Sequence, residues 1–401
     1  MIRKTIFWIH LSSGVVTGVV ILFMSVTGVL LTFQSQIVDY ANRDYATVHP
    51  PHPGAARMDM DAVLTSVRSA DPEAEPTSVT IRPDPAEAYV VRYGRAKTVF
   101  VDPYTGEVRG EGNIAVRDFL REIMYWHRWF GAEGENRAVG RAVTGACNLA
   151  FCLLTVTGLY IWWPRRWSMA ALKAVFVPNF KIKGKSRDFN WHNSFGIWCL
   201  PALFLISLSG VVISYRWAGD LVYTLTGTEP PQRAAQTASE PATPGDEPAP
   251  FQVAPSESFL DAARKQVPEW AYITLNLPKE GAETTTLTVS EMDNRIPLTR
   301  STLIVSTTDA GVVEWIPFTS LNMGRQIRTW LRWIHTGEAA GWFGQLIAGV
   351  ASAGAVVLVW TGLSLAWRRF RRFNITRQNT ASTTRDIPGE FAEEPHLART
   401  G

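Results

Sequence analysis

Residues 10–28, HLSSGVVTGVVILFMSVTG, recur later in the chain as residues 192–210, HNSFGIWCLPALFLISLSG. Four residues after the histidine both copies have glycine, and they have serine after fifteen residues and glycine after eighteen. Both stretches are otherwise apolar, and a helix needs about 20 apolar residues to cross a bilayer. The repetition predicts two membrane helices, each with a histidine at its polar-to-apolar boundary.

Four apolar blocks predict an α-helical membrane protein with a four-helix transmembrane bundle. The blocks lie at residues 6–33, 139–163, 191–215 and 342–367. The first is too long for a signal peptide and lacks a small-residue cleavage site, so we interpret it as an anchor. The second and fourth blocks align at shared residues: Gly140, Gly145, Thr157, Gly158 and Trp163 with Gly344, Gly349, Thr361, Gly362 and Trp367. The bundle therefore consists of two pseudo-repeats, residues 1–167 and 186–370.

Two polar regions, residues 34–137 and 216–340, predict two small α+β modules. Each has a short helical segment, at 58–69 and 256–266, followed by alternating apolar and polar residues with glycine-containing turns. Such alternation with β-branched residues is typical of antiparallel strands. The second region begins with a linker rich in proline, alanine, threonine and glutamate, which we expect to be poorly ordered.

Basic residues mark one side of the predicted membrane. They lie at Arg3 and Lys4, in the loop 164–190 and at the start of the tail 368–401. Because basic loops stay in the cytoplasm, both termini are expected there and both modules in the periplasm of a bacterial inner membrane. The tail from residue 374 is predicted to be disordered. The net charge is only +3, and no basic patch suggests nucleic-acid binding.

This topology sorts four histidines into two pairs. His10 and His192 fall at the inner edge of the membrane, and His127 and His335 at the outer edge. Two neutral imidazoles from facing helices can bind one haem iron from both sides. The chain has no CxxCH motif, so the prediction is two non-covalent b-type haems. Ordinary interfacial histidines are the alternative; zinc is disfavoured because the usual Cys, Asp or Glu companions are missing.

Residues beside these histidines are candidate haem contacts. Gly14 and Gly196 would leave room for a flat ring at the inner site, and Gly131 and Gly337 at the outer site. Arginines beside the outer histidines are candidates for pairing haem propionates, although snorkelling at the interface is the alternative: Arg128, Arg328 and Arg332. Serines at matched positions either pack helices or contact haem: Ser25 and Ser207. Tryptophans at the outer ends are an interface belt or wall a cofactor: Trp126, Trp129, Trp333 and Trp342.

The histidine motifs resemble the PepSY-associated transmembrane family. They are His10 at the start of the first helix, WHRWFG at 126–131, WHNSFG at 191–196 and LRWIHTGE at 331–338. The stretches VFVDPYTGEV (99–108) and LIVSTTDAGVV (303–313) resemble PepSY domains. The resemblance covers residues 1–370. It implies an inner-membrane protein of bacterial iron uptake, with two b-type haems and electron transfer to a siderophore-bound iron.

The resulting hypothesis is a transmembrane electron conduit and ferric-siderophore reductase. An unidentified donor, on the cytoplasmic side or in the membrane, would supply electrons, and a ferric siderophore, of a hydroxamate type such as ferrioxamine, would accept them. No catalytic residue beyond the haem is required. One alternative is an oxidoreductase with a quinone or cupric ion as acceptor, and another is a haem-free scaffold whose modules bind partners. A transporter is disfavoured because intramembrane acids and broken helices are missing.

Overall fold

The structure, a computed structural model, describes residues 1–94, 97–163, 168–231, 253–291 and 299–385. Within these ranges four helices are long and apolar enough to cross a membrane, as predicted. They are α1 (Ile2–Thr32), α5 (Arg137–Trp162), α7 (Gly184–Ser214) and α11 (Gly341–Arg385). Each packs against two of the others, in the cyclic order α1, α5, α7, α11. The apolar blocks thus form a four-helix bundle.

Two of these helices are longer than the apolar blocks that predict them. α7 begins at Gly184, within the loop 164–190, and α11 continues past residue 367 to Arg385. The helix thus continues, as far as Arg385, into the tail that the sequence predicts to be disordered from residue 374. The sequence has neither glycine nor proline from residue 363 to 385, so nothing there breaks the helix. Residues 386–401, 164–167 and most of the predicted linker lie outside the described residues.

Seven shorter helices and eight strands complete the described elements. The helices are α2 (Gln34–Ala46), α3 (Met60–Ala70), α4 (Ile114–Trp129), α6 (Met169–Phe176), α8 (Arg216–Thr226), α9 (Ser256–Gln266) and α10 (Met323–Thr336). The strands are β1 (Ser78–Ile81), β2 (Tyr89–Tyr93), β3 (Lys97–Val101), β4 (Val108–Gly110), β5 (Trp270–Asn276), β6 (Thr284–Glu291), β7 (Arg300–Ser306) and β8 (Val312–Ile316). Apart from α6, the element order of the first half recurs in the second.

The two predicted modules share one antiparallel sheet of eight strands, in the order β4-β3-β2-β1-β5-β6-β7-β8. β1 and β5 pair at its centre, where Val79 lies opposite Leu275. This pairing satisfies backbone groups that two separate sheets would leave open at their edges. Helices α3 and α9 supply Leu64 and Phe259 to the core, which extends across both halves. The two α+β modules predicted from the sequence are thus joined in one continuous layer, which the sequence did not predict.

Helices α4 and α10 occupy equivalent places before α5 and α11. Each begins with an asparagine whose side-chain oxygen accepts a backbone N–H three residues on, Asn113 in α4 and Asn322 in α10. Each helix is then followed by a sharp turn that folds the next helix back against it. A Cβ atom on Gly140 or Gly344 would collide with a backbone carbonyl of the preceding turn. Only glycine allows the helix to come this close to the preceding turn, which explains why the second and fourth apolar blocks both have glycine at this position.

Asp188 ties α7 to α11 at the end of the bundle away from the sheet. Its side chain is 0% exposed and lies 2.9 Å from the Arg187 guanidinium and 3.4 Å from that of Arg368. It also accepts a hydrogen bond of 2.7 Å from the Ser364 hydroxyl. A buried carboxylate with these partners holds the two helices in register.

Replacing Asp188 with alanine should therefore destabilise the protein. The two guanidinium groups are partly exposed, which moderates the loss, so we expect about 2 kcal/mol. The matched control is Asp220→Ala, since Asp220 pairs with Arg216 on an exposed surface and should change stability by less than about 1 kcal/mol. Thermal unfolding in detergent measures both, and equal shifts in the two variants would contradict the assignment.

Candidate functional site

The structure brings four histidines together as two pairs. His10 on α1 and His192 on α7 have ring centroids 6.5 Å apart. His127 on α4 and His335 on α10 have ring centroids 6.2 Å apart. Each pair therefore joins one residue of the first half of the chain with one of the second half.

The two pairs lie at opposite ends of the bundle. His10 is near the start of α1, whereas His127 contacts Thr27 near its end. At a rise of 1.5 Å per residue, this stretch of α1 separates the two levels by roughly 25 Å. The His127/His335 pair is at the end from which the sheet extends, and the His10/His192 pair is at the opposite end.

Each imidazole is held at its Nδ1 atom by a hydroxyl of a neighbouring helix. The contacts are His10–Thr157 at 2.9 Å, His127–Thr27 at 2.9 Å, His192–Thr361 at 3.0 Å and His335–Ser209 at 3.4 Å. The two histidines of the second half also bond the backbone: His192 to Leu358 O at 3.1 Å and His335 to Ile206 O at 2.9 Å.

These hydroxyls determine where the proton lies on each ring. Every one of them donates its single proton to a carbonyl of its own helix, four residues back: Thr27 to Phe23, Thr157 to Leu153, Ser209 to Leu205 and Thr361 to Val357. A hydroxyl that has donated its proton can only accept from the imidazole. Nδ1 of each histidine therefore carries the hydrogen, and the Nε2 lone pair remains available for a metal ion.

A glycine follows each of these hydroxyl residues and makes space for the ring. The imidazole Cε1 atoms lie 3.1–3.6 Å from where a Cβ atom would stand on these glycines: Gly28, Gly158, Gly210 and Gly362. A hydroxyl residue followed by glycine thus forms the same cradle four times.

Ser25 and Ser207, for which helix packing and haem contact were both left open, make contacts with the helices and not with the histidines. Ser25 donates to Ile21 O of its own helix, at 2.7 Å. Ser207 is tied to α5 through its backbone carbonyl, which accepts from the Asn148 side chain at 3.0 Å. The residues against the histidines are Thr27 and Ser209. The signal that could have found them is a Ser-Gly or Thr-Gly dipeptide in every apolar block.

The other predicted glycines do not touch the imidazoles. A Cβ atom on Gly14 would have no atom within 4 Å, so this position borders open space, whereas one on Gly196 would be in van der Waals contact with Leu358, at 3.7 Å. Gly131 and Gly337 instead turn the chain after α4 and α10, with φ of 73° and 80°. Their positive φ, rather than clearance for a ring, accounts for glycine there.

Arg128 and Arg332 lie in a cluster of cations beside the His127/His335 pair. Burial lowers the pKa of Arg128, and so do three neighbouring guanidinium groups, those of Arg141, Arg332 and Arg137. In the described part of the chain, none of the four forms an ion pair with a carboxylate. The cluster is therefore suited to an anionic group. Arg328 lies apart from it, over the ring of Tyr223 at 5.5 Å.

The four tryptophans that are candidates for walling a cofactor contact groups other than the histidines. Trp126 stacks on Phe23 with centroids 5.9 Å apart, and Trp333 packs on Phe318 at 5.6 Å. The Arg137 guanidinium lies 4.4 Å from the ring centre of Trp129. Trp342 is mostly exposed on the bundle surface, as expected for a residue at a membrane interface.

The geometry of each pair fits two ligands on opposite sides of one metal ion. With metal–nitrogen bonds of about 2 Å and ring centres about 1 Å beyond, two such imidazoles have centroids about 6 Å apart. No group of three or more His, Cys, Asp or Glu side chains arranged to hold a metal occurs among the described residues. Two imidazoles leave a zinc ion short of its four ligands, whereas a porphyrin brings four nitrogens of its own. The donor set therefore fits haem.

Comparison with known proteins places the chain in a family. A search of curated proteins finds no match. The model of the PepSY-associated TM region matches residues 7–369, which include the four histidines, the sheet and most of each of the four long helices. The chain therefore belongs to the PepSY-associated transmembrane family and is a multi-pass membrane protein.

Proposed function

We propose that the protein is a di-haem b-type electron-transfer protein of the bacterial inner membrane that reduces ferric siderophores in the periplasm. The observation that carries this proposal is the pair of imidazole sites, with centroids 6.5 and 6.2 Å apart and Nδ1 bonded in every ring. A haem held by two such imidazoles would serve as a one-electron carrier, because the protein would supply all the ligands that the porphyrin does not. Two such sites at opposite membrane faces make a conduit.

The residues of this chain would hold and orient the two haems. His10 and His192 would ligate the inner one, and His127 and His335 the outer one. Gly14, which borders open space, and Gly196, which lacks a side chain one turn after His192, would leave room for the inner porphyrin. Arg128 and Arg332 are suited to the propionate carboxylates of the outer haem. When bound, haem supplies the reversible one-electron couple; no other catalytic residue is required.

The distribution of basic residues supports the orientation of the conduit. Arg3, Lys4 and Arg368 lie at the end of the bundle away from the sheet, which the positive-inside rule assigns to the cytoplasm. The termini and the His10/His192 pair are then cytoplasmic, and the PepSY-like α+β layer and the His127/His335 pair are periplasmic. An electron donor in the cytoplasm or the membrane would supply the inner site.

Reduction releases iron because of the chemistry of the chelate. Hydroxamate oxygens are hard ligands that favour ferric over ferrous iron. One electron passes to the chelate and reduces its ferric ion to ferrous. The electron donor loses this electron and is oxidised. The chelator is left chemically intact. The histidine motifs quoted above resemble those of the ferrioxamine reductase FoxB, and on this resemblance we propose a hydroxamate siderophore as substrate.

The test is an anaerobic oxidation of the reduced, haem-loaded protein. Dithionite is removed after reduction, and one equivalent of ferrioxamine B per haem is added together with a ferrous-specific chelator. We expect the reduced Soret band to be lost and ferrous iron to appear in equal amounts. The gallium chelate, which cannot be reduced, should leave the band unchanged. Oxidation by a quinone or cupric ion but not by ferrioxamine would refute the siderophore reductase, and a protein that binds no haem would support the scaffold alternative.

A further inference from the structure

The connection between α5 and α7 folds back along the flank of α7. It contains α6, which has no counterpart among the described elements of the second half, where α11 continues straight to Arg385. The carbonyl of Phe176, at the end of α6, accepts a hydrogen bond of 2.8 Å from the Trp198 indole N–H. Trp198 is 68% exposed within the apolar stretch 191–215 of α7, so its surroundings in the membrane are lipid. Where α6 ends, the chain is therefore still at the depth of the apolar span.

Further contacts fasten the chain after α6 to the start of α7. The Asn190 side chain accepts from the backbone N–H of Asn179 at 2.7 Å and donates to the Val177 carbonyl at 3.1 Å. The Trp191 indole N–H donates to the Asn179 carbonyl at 3.1 Å. The Phe180 ring packs on that of Trp191, with centroids 5.3 Å apart. A connection held at this many points presents its side chains in fixed positions.

Large apolar side chains of this region point away from the protein. Val177, Phe180 and Phe189 are 50%, 71% and 58% exposed. They lie beside Trp198 on the same flank of α7, so the lipid-facing surface of the bundle continues into them. Three exposed lysines are interspersed with these apolar residues: Lys181, Lys183 and Lys185. Apolar side chains alternating with cations are typical of segments that lie at a membrane surface.

The positive charge of these lysines is uncompensated. In the described part of the chain none of the three forms an ion pair. The single acidic residue between positions 164 and 190 is Asp188, whose carboxylate is 0% exposed between Arg187 and Arg368. From His192 back to Lys185, α7 extends about 10 Å further from the apolar span. The lysines thus lie at the depth of the phospholipid head groups.

We propose that residues 177–189 form a docking surface for an anionic phospholipid. Its phosphate pairs with the lysines, and its acyl chains cover Val177 and Phe180. The exposed apolar residues favour lipid over an acidic soluble protein, because they continue the lipid-facing surface of α7. The proposed orientation makes this the cytoplasmic leaflet. The surface needs neither haem nor electron transfer, so it is independent of the proposed function.

The test compares two lipids on the full-length, haem-loaded protein in detergent. Dioleoyl phosphatidylglycerol and dioleoyl phosphatidylcholine have the same acyl chains and differ in charge, and native mass spectrometry measures the affinity of each. A lysine near an anionic surface contributes about fivefold to binding, so we expect wild type to prefer the anionic lipid by about tenfold or more. Lys181→Gln with Lys183→Gln should lower this preference by about fivefold or more.

Two further variants separate this surface from diffuse charge. Lys4→Gln with Arg371→Gln removes the same charge from α1 and α11 at the same end of the bundle and should keep the preference. Phe180→Ser should weaken both lipids to the same extent, since it removes apolar contact but no charge. Circular dichroism shows whether each variant keeps its helix content.

Equal affinity of wild type for both lipids would overturn the proposal and leave the lysines to an acidic protein partner. An equal loss of preference in the Lys4 and Arg371 control would also overturn it, because the attraction would then belong to the whole basic end of the bundle. Either result would leave the proposed reductase intact, since neither measures electron transfer.

Discussion

The His10→Ala variant is expected to purify with one haem per chain, whereas the unaltered protein should carry two. The same result is expected for His192→Ala, His127→Ala and His335→Ala, because each removes one of the two imidazoles that hold a single porphyrin. His10 and His192 are 6.5 Å apart at one end of the bundle, and the other pair lies about 25 Å away. Loss of one haem should therefore leave the other in place. Haem per polypeptide, measured as the pyridine haemochrome, reports the result.

Double variants provide the sharper comparison. His10→Ala with His192→Ala alters one site and should still leave one haem, whereas His10→Ala with His335→Ala alters both and should leave none. His49→Ala is the matched control, since His49 lies exposed in a loop of the sheet layer, and it should retain two. Helix content by circular dichroism distinguishes cofactor loss from misfolding. The pairing would be wrong if the two double variants lost haem to the same extent while remaining folded.

The Thr157→Val variant is expected to bind the inner haem about 10–100 times more weakly than wild type, the usual cost of losing a partner behind a ligating histidine. Among the described residues, Thr157 is the one hydrogen-bond partner of His10 Nδ1. Valine matches threonine in shape but cannot accept the imidazole proton, so the ring becomes less basic and less firmly oriented. The haem that remains should have a higher reduction potential, because a weaker donor stabilises ferric iron less. Transfer of haem to apomyoglobin and a redox titration measure the two effects.

Thr361→Val provides the control at the same haem. His192 bonds both Thr361 and the Leu358 carbonyl, at 3.0 and 3.1 Å. The carbonyl should keep the ring oriented when the hydroxyl is removed, so the loss of affinity should be clearly smaller than for Thr157→Val. Larger loss in Thr361→Val, or no loss in either variant, would show that the hydroxyls do not hold the haem ligands.

Much of the bundle follows from the sequence because its signals are local. Apolar length locates α1, α5, α7 and α11, and the order of the histidines along alternating helices determines which ends they share. The ends of α7 and α11 are less predictable, since amphipathic and basic turns extend a helix without adding apolar residues. The cradles at Gly28 and Gly158 depend on which helix face meets the imidazole. The four matched Ser-Gly and Thr-Gly dipeptides together indicate this face. A single serine at a repeated position does not, because a serine that only packs helices would give the same pattern.

The sheet shows what a sequence leaves open. Alternation predicts β1, β2 and β3, but the three-residue strand β4 and the exposed β8 have little of that pattern. The pairing of β1 with β5 joins residues almost two hundred positions apart. Such edge-to-edge contacts depend on the complementarity of two distant strands, which no local window contains.

The central claim is that two pairs of imidazoles each complete a haem. The most direct measurement is the haem content and the low-temperature electron paramagnetic resonance spectrum of the oxidised wild-type protein, expressed with sufficient haem. Two haems per chain, both low-spin ferric with bis-imidazole signals, are predicted. A protein without haem, or one whose haem is high-spin with an open axial position, would contradict it.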